Sequence, residues 1–220
     1  MEMGMRKILV VDDHELVRIG LCRLIEASAD VTVVGQCESG EAALNEVRSL
    51  EPDIVFMDIR MPGIGGLEAT RRLLSTYPKL KVIVVSALAG DVYPARLLKA
   101  GAAGYITKSA DQGEIQEALN TVIEGRIYIS PEIAQLMVLK GLDEGQKSSP
   151  FASLSQRELE IARMVSNGHR AKEIAGLLNI SPKTINTYKY RIFEKLDVSN
   201  DVELALMAVK YNLVDPDEVV

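Results

Sequence analysis

Five short runs of apolar, mostly β-branched residues recur along the first 125 residues, each followed by a turn and a longer amphipathic stretch. They are Ile8–Val11, Thr32–Val34, Ile54–Met57, Val82–Val85 and Gly104–Ile106. Runs that are apolar on both faces suit strands of a buried parallel sheet. Right-handed crossovers then place the intervening helices on both sides of that sheet. The expected fold is therefore a doubly wound α/β domain of five parallel strands in the order 2-1-3-4-5. Leu16, Ile19 and Leu24 in the first helical stretch, and Ile115, Leu119, Val122 and Ile123 in the last, have the spacing of a core-facing stripe. Ser39 and the Gly65-Gly66 pair open helices, whereas Gly101 and Gly125 sit where helices end.

After Gly125 the pattern changes. Arg126–Ile129 can be extended, Ser130-Pro131 opens a short helix, and Gly141 to Pro150 is polar and rich in Gly, Ser and Asp, as linkers are. Beyond it lie four short helical stretches near Gln156–Asn167, Arg170–Leu177, Pro182–Leu196 and Val202–Tyr211, with no strand-like run. Ser155-Gln-Arg-Glu158 forms a capping box at the first of them. The expected division is an α/β domain at 1–125, a linker with a short helix at 126–150, and a small all-α four-helix domain at 151–220.

At 220 residues the chain can bury two modest cores. No apolar run approaches the roughly 20 residues of a spanning helix. Met1–Lys7 is too short and too charged to open a signal peptide. A cytoplasmic protein with no membrane partner is expected. Cys22 and Cys37 lack metal-ligand spacing and read as reduced, buried thiols, so neither they nor His14 and His169 suggest zinc. The net charge is −6, but from Arg170 to Lys195 six basic residues face only Glu173 and Glu194. A local positive face governs phosphate attraction within a Debye length, so the overall acidity does not exclude nucleic acid.

The chemistry lies at the ends of the apolar runs. Asp12 and Asp13 follow the first, Asp58 the third, Ser86 the fourth and Lys108 the fifth. Strand ends of an open α/β sheet gather at one edge. Three carboxylates there would repel one another unless a hard cation such as Mg²⁺ lay among them. Asp58 could then act as a nucleophile toward phosphorus, with Lys108 and the Ser86 hydroxyl contacting phosphoryl oxygens. Taken singly, an Asp at a strand end is more often a cap or turn residue, and a Lys there is a solvated stem. Together, in this order, they form a site.

Val10-Val-Asp-Asp-His-Glu-Leu-Val-Arg18, Met57-Asp58-Ile-Arg-Met-Pro-Gly63, Ser86-Ala87 and Tyr105-Ile-Thr-Lys108 resemble the receiver domain of two-component response regulators, whose sheet has the flavodoxin-like strand order. The resemblance covers about Arg6 to Glu124. It implies that Asp58 accepts a phosphoryl group from a sensor histidine kinase. It also implies that Asp13, Asp58 and the main-chain carbonyl of Arg60 ligate Mg²⁺, with Asp12 acting through a water. Ser86 and Lys108 would contact the phosphoryl group, and Tyr105 matches an aromatic switch position. The plainer alternative for Tyr105 is a half-buried ring on an edge strand. Arg60 and Leu88 match positions that tune phosphate lifetime, and neither is suited to orienting an attacking water.

In the C-terminal unit, a helix ending near Leu177, a short turn and a helix capped by Ser181 with Pro182 at its first position describe a helix-turn-helix. Ile185, Tyr188, Ile192 and Leu196 follow core spacing, which turns Lys183, Asn186, Thr187 and Tyr190 outward. Amide, hydroxyl and ammonium groups are what base edges and phosphates require, although a solvated face is the alternative. Leu154-Ser-Gln-Arg-Glu158, Lys172-Glu-Ile-Ala175, Ser181-Pro-Lys-Thr-Ile-Asn186 and Lys195-Leu-Asp-Val198 resemble the LuxR-type DNA-binding domain. A receiver joined to it is the NarL/FixJ architecture, and Gly101-Ala-Ala-Gly104 and Asp201-Val-Glu-Leu204 resemble the GacA/UvrY-type regulators within it. The implied DNA contacts are Lys183, Thr184, Asn186, Thr187, Lys189, Tyr190 and Arg191. The implied behaviour is phosphorylation, homodimer formation and binding of double-stranded promoter DNA. For this type the targets would be small regulatory RNA genes controlling secondary metabolism, motility, biofilm or virulence. Two readings from other classes stay open on the sequence: a phosphohydrolase that also uses an Asp nucleophile, and a receiver whose helical tail binds protein.

Overall fold

The computed structural model describes residues 5–28, 30–87, 93–142 and 149–214. The chain divides into two compact units, Met1–Leu142 and Asp143–Val220. In the first, β1 (Arg6–Val11), β2 (Val31–Cys37), β3 (Ile54–Asp58), β4 (Lys81–Ser86) and β5 (Gly104–Thr107) alternate with α1 (Glu15–Glu26), α2 (Gly40–Leu50), α3 (Gly65–Thr76), α4 (Tyr93–Lys99) and α5 (Gln112–Ile123). All strand pairings are parallel.

The sheet order is 2-1-3-4-5-6, one strand more than expected. The additional β6 (Tyr128–Ile129) lies outside β5, with Gly104 opposite Tyr128 and Tyr105 opposite Ile129. Two residues are too few to show a period, so the sequence offered only an extended segment there. The helix that follows, α6 (Pro131–Leu142), is 12 residues long and belongs to the first unit. It packs on β5 and α4, with Ile133 fully buried. The polar linker expected from Gly141 to Pro150 falls mostly outside the described residues, as does Leu88.

Alternate strand residues feed two cores. Ile8, Val10, Ile54, Phe56, Ile83, Val85 and Ile106 pack with Leu21, Cys22 and Ile25 of α1 and Ile115, Leu119 and Val122 of α5. Leu9, Val55, Met57, Val82, Val84 and Tyr105 are buried on the other face, where α2, α3 and α4 lie. One expectation fails here. Leu16 and Ile19 are 87% and 38% exposed, and α1 docks instead through Leu21, Cys22 and Ile25. Apolar residues wrap most of α1, so spacing establishes the helix without choosing its inward side. Burial pushes the Cys22 and Cys37 thiols up to about 11, which keeps both protonated and inert.

Gly66 enables the tight step from β3 to α3. A Cβ there would lie 1.8 Å from the Asp58 main-chain oxygen, so no side chain fits. The first turn of α3 can therefore press against the end of β3.

In the second unit, a 3₁₀ turn (Pro150–Ser153) precedes α7 (Gln156–Ser166), α8 (Ala171–Leu178), α9 (Pro182–Leu196) and α10 (Asp201–Lys210). The Ser155–Glu158 capping box is formed, and Lys195 of α9 donates to Glu158 Oε2 at 2.6 Å, tying α9 to the start of α7. Asn179 takes a left-handed conformation at the end of α8, and Ser181 caps α9 by accepting from the Thr184 N–H. Ile185, Ile192 and Leu196 are buried and Tyr188 is half-buried, as the helix-turn-helix pattern required.

Candidate functional site

Strand register brings the expected residues to one edge of the sheet. Val11 stands opposite Met57, Asp58 opposite Val85, and Ser86 opposite Thr107. The residues at or just past these positions, Asp12, Asp58, Ser86 and Lys108, thus share the C-terminal edge. Asp12, Asp58 and Ser86 are buried, and Lys108 is half-buried. The Lys108 Nζ lies 2.7 Å from Asp12 Oδ2 and 2.8 Å from Asp58 Oδ2. Its main-chain N–H donates to the Ser86 carbonyl at 2.8 Å, which fixes the ends of β4 and β5 together.

The second oxygen of Asp58 accepts from the Arg60 N–H at 3.3 Å. Burial raises the Asp58 carboxyl to about 6, against the pull of the Lys108 ammonium, while the Asp12 charge adds to the rise. Burial also works against the charge of Lys108, but the facing Asp58 and Asp12 carboxylates hold its pKa above the ordinary value.

His14 belongs to this cluster, although its spacing from the cysteines forms no metal motif. Its N–H donates to Asp12 Oδ1 at 2.8 Å, and its Nδ1 is 2.9 Å from Asp13 Oδ1. Ligand atoms of Asp12, Asp13, His14 and Asp58 lie within 4.8 Å of one another. The signal was adjacency to Asp13 at the start of α1. Arg18, one turn into α1, donates to the Asp12 main-chain oxygen at 2.6 Å and holds the same turn from behind. Carboxylate oxygens converging this closely are the donor set a hard divalent cation takes, so the residues fit such an ion.

Tyr105 is fully buried. With β6 outside β5, it is a fully buried ring on an interior strand rather than a half-buried one at the sheet edge.

On α9, Lys183, Thr184, Asn186, Thr187, Tyr190 and Arg191 are exposed, Tyr190 at 71%. Ser181, Lys183, Thr184, Thr187, Tyr188 and Arg191 line a shallow groove of about 280 Å³ along the first turns. The Thr184 hydroxyl is 2.8 Å from Ser181 Oγ, and the Thr187 hydroxyl donates to the Lys183 carbonyl. Lys189 differs from the rest. It is half-buried and its Nζ lies 2.7 Å from Asp201 Oδ1 at the start of α10.

Comparison with known proteins decides the family. The response regulator receiver domain matches residues 8–120, and the bacterial regulatory proteins of the luxR family match residues 152–208. The chain belongs to the two-component response regulators. Such a regulator carries a DNA-binding domain and is a non-enzymatic kind of protein, which sets the phosphohydrolase reading aside. This response regulator is 53% identical over 211 residues to response regulator GacA of Pseudomonas aeruginosa, covering 96% of this chain and 99% of that one. It is 44% identical over 209 residues to response regulator UvrY of Escherichia coli K12, covering 95% and 96%. Among solved structures it is similar to RcsB from Salmonella enterica serovar Typhimurium, bound to promoter P1flhDC in the presence of the phosphomimetic BeF3⁻. That match has a TM-score of 0.60 and 25% identity, and covers 93% of this chain and 98% of that one. The response regulator has no helix, among the described residues, long and apolar enough to cross a membrane.

Proposed function

We propose that this regulator is cytoplasmic, that a sensor histidine kinase phosphorylates it on Asp58, that the phosphorylated chain pairs with a second copy, and that α9 then binds promoter DNA. The observation that carries the first step is the Lys108 ammonium shared between the buried Asp12 and Asp58 carboxylates. It places a positive charge where transferred phosphoryl oxygens must be neutralised.

Asp13, Asp58 and the Arg60 main-chain carbonyl would hold Mg²⁺, and Asp12 would reach it through a water. The ion, when bound, supplies charge that offsets the carboxylates and the phosphoryl oxygens. An Asp58 carboxylate oxygen attacks phosphorus as the bond to the kinase imidazole nitrogen breaks, and the electron pair leaves with that nitrogen. Lys108 exchanges its hold on Asp58 for a phosphoryl oxygen, and the Ser86 hydroxyl donates to another. Tyr105 lies two residues before Thr107, the partner of Ser86 in the sheet, so movement at Ser86 is felt along β5. The receiver therefore promotes its own phosphorylation and dephosphorylation without being a turnover enzyme.

The promoter complex of RcsB supports DNA as the partner of the second unit. In this reading Lys183 and Arg191 neutralise phosphates, and Lys189 joins them once released from Asp201. Asn186, Thr187 and Tyr190 face bases, and Thr184 steadies the start of the helix. Likeness to GacA and UvrY supports targets among small regulatory RNA genes controlling secondary metabolism, motility, biofilm or virulence. In this reading the receiver function lies in 1–125 and the DNA-binding function in 151–220, while β6 and α6 of the intervening 126–150 pack with the receiver.

The test is incubation of the full-length protein with Mg²⁺ and acetyl phosphate. One base-labile phosphoryl group is expected, and Asp58→Asn should abolish it. Labelling of that variant at the full level would contradict the assignment.

A further inference from the structure

Helix α2 lies outside the residues that touch the phosphoryl group, yet its first turn is pressed against the loop that follows Asp58. A Cβ on Gly40 would lie 2.9 Å from Ala69 Cβ, 3.0 Å from Ile64 Cγ1 and 3.3 Å from the Gly65 carbonyl. The approach therefore depends on that glycine. Ser39 fixes the turn by accepting from the Ala42 N–H at 3.2 Å.

From this turn the Glu41 carboxylate reaches across to the loop. Its Oε1 accepts from the Ile64 N–H at 3.0 Å. Gly63 is at φ +72, and a Cβ there would stand 2.3 Å from the same oxygen, so a side chain would displace the carboxylate. The loop is thus clamped at its far end by Glu41 and at its near end by the bond from Arg60 N–H to Asp58. A further bond, from Gly66 N–H to the Ile59 carbonyl at 3.0 Å, closes the step into α3. The Arg60 main-chain carbonyl lies between the two clamps.

We propose that Glu41 is a positioning residue for the phosphoacceptor site. By holding the Gly63–Ile64 turn, it fixes the orientation of the Arg60 peptide, so that its carbonyl is presented beside Asp13 and Asp58 for a divalent cation. This inference rests on the reading of Asp13, Asp58 and Arg60 as that cation site. Partners that orient a ligand without touching the ion typically change metal affinity when removed, because a mobile carbonyl must be ordered on binding. The group needed at position 41 is an acceptor oxygen of the right reach, so an amide should serve where a methyl cannot.

The experiment uses the full-length protein with Mn²⁺, whose free form is counted by its paramagnetic resonance signal, alongside acetyl phosphate labelling at graded Mg²⁺. Glu41→Ala, in a helix that favours alanine, should weaken Mn²⁺ binding by about 10-fold. It should slow labelling at low Mg²⁺ and approach the wild-type rate at saturating Mg²⁺. Glu41→Gln should bind Mn²⁺ within about 2-fold of wild type, since its amide oxygen can still accept from Ile64. Asp13→Asn should lose most of the binding in either background. If Glu41→Ala matches wild type while Asp13→Asn fails, the positioning role is overturned and the cation site stands. A Gln variant as weak as Ala overturns the hydrogen-bond role. If Asp13→Asn binds Mn²⁺ normally, the cation site itself falls, and Glu41 with it.

Discussion

Asp58 is a carboxyl group nearly sealed from water, and its charge is tolerated only through the Lys108 ammonium it shares with Asp12. Burial raises its pKa from 3.8 to about 6. Asp58 in the folded protein therefore holds its proton between about pH 4 and pH 6 where the unfolded chain releases it, and this group's contribution to stability falls as pH rises through that window. In chelator at pH 7, Asp58→Asn should be more stable than wild type by about 1–2 kcal/mol, since one buried charge is gone and Lys108 keeps Asp12. Denaturant titrations from pH 4 to pH 8 should show the gap opening across that window, and a variant no more stable at pH 7 would refute the burial effect. On α9, two exposed neighbours should fail differently. Asn186→Ala should relax base discrimination by about 1–3 kcal/mol, whereas Lys183→Ala should weaken all sequences alike and lower the salt slope by about one. Binding to cognate and random DNA across salt concentrations separates the two, and equal losses on both DNAs for both variants would contradict the division of that face.

At the scale of elements, glycines report how closely the pieces approach. Gly66→Ala should cost about 3 kcal/mol or more, because its Cβ would overlap the Asp58 carbonyl and force α3 off the end of β3. A Cβ on Gly20 of α1 would meet nothing within 4 Å, so Gly20→Ala should stabilise by about 0.5–1 kcal/mol through helix propensity. Comparable denaturation midpoints for the two variants would show that the contact is softer than the structure implies. Strands were legible in the sequence because buried parallel strands carry unbroken apolar runs, and Asp12, Asp58, Ser86 and Lys108 were legible because each ends such a run. The inward side of α1 was not, since Leu16 and Leu21 are equally apolar and only the packing partners choose between them. Nor was β6, which is recognisable only by its pairing with Gly104 and Tyr105. The Glu41 clamp and the Lys189–Asp201 pair join elements distant in the chain, and no local pattern marks such pairs.

For the whole molecule, the proposed function assigns phosphate to the receiver and DNA to the helix-turn-helix unit, so phosphorylation at Asp58 would act through an equilibrium of the receiver. If that equilibrium favours pairing of two chains, two helix-turn-helix units are held together and gain effective concentration on a two-part site. Lys108→Ala should then accept phosphate at Asp58 more slowly and, once phosphorylated, gain little in assembly or DNA affinity, because the group that answers the new charge is missing. A segment beginning at Ser149 should bind DNA weakly with or without a phosphodonor. The direct measurement is sedimentation and DNA titration of the full-length protein before and after stoichiometric phosphorylation. Phosphorylation should shift the protein toward dimers and tighten binding to a two-part site more than to a half-site; unchanged assembly and unchanged affinity at full phosphate occupancy would contradict the coupling.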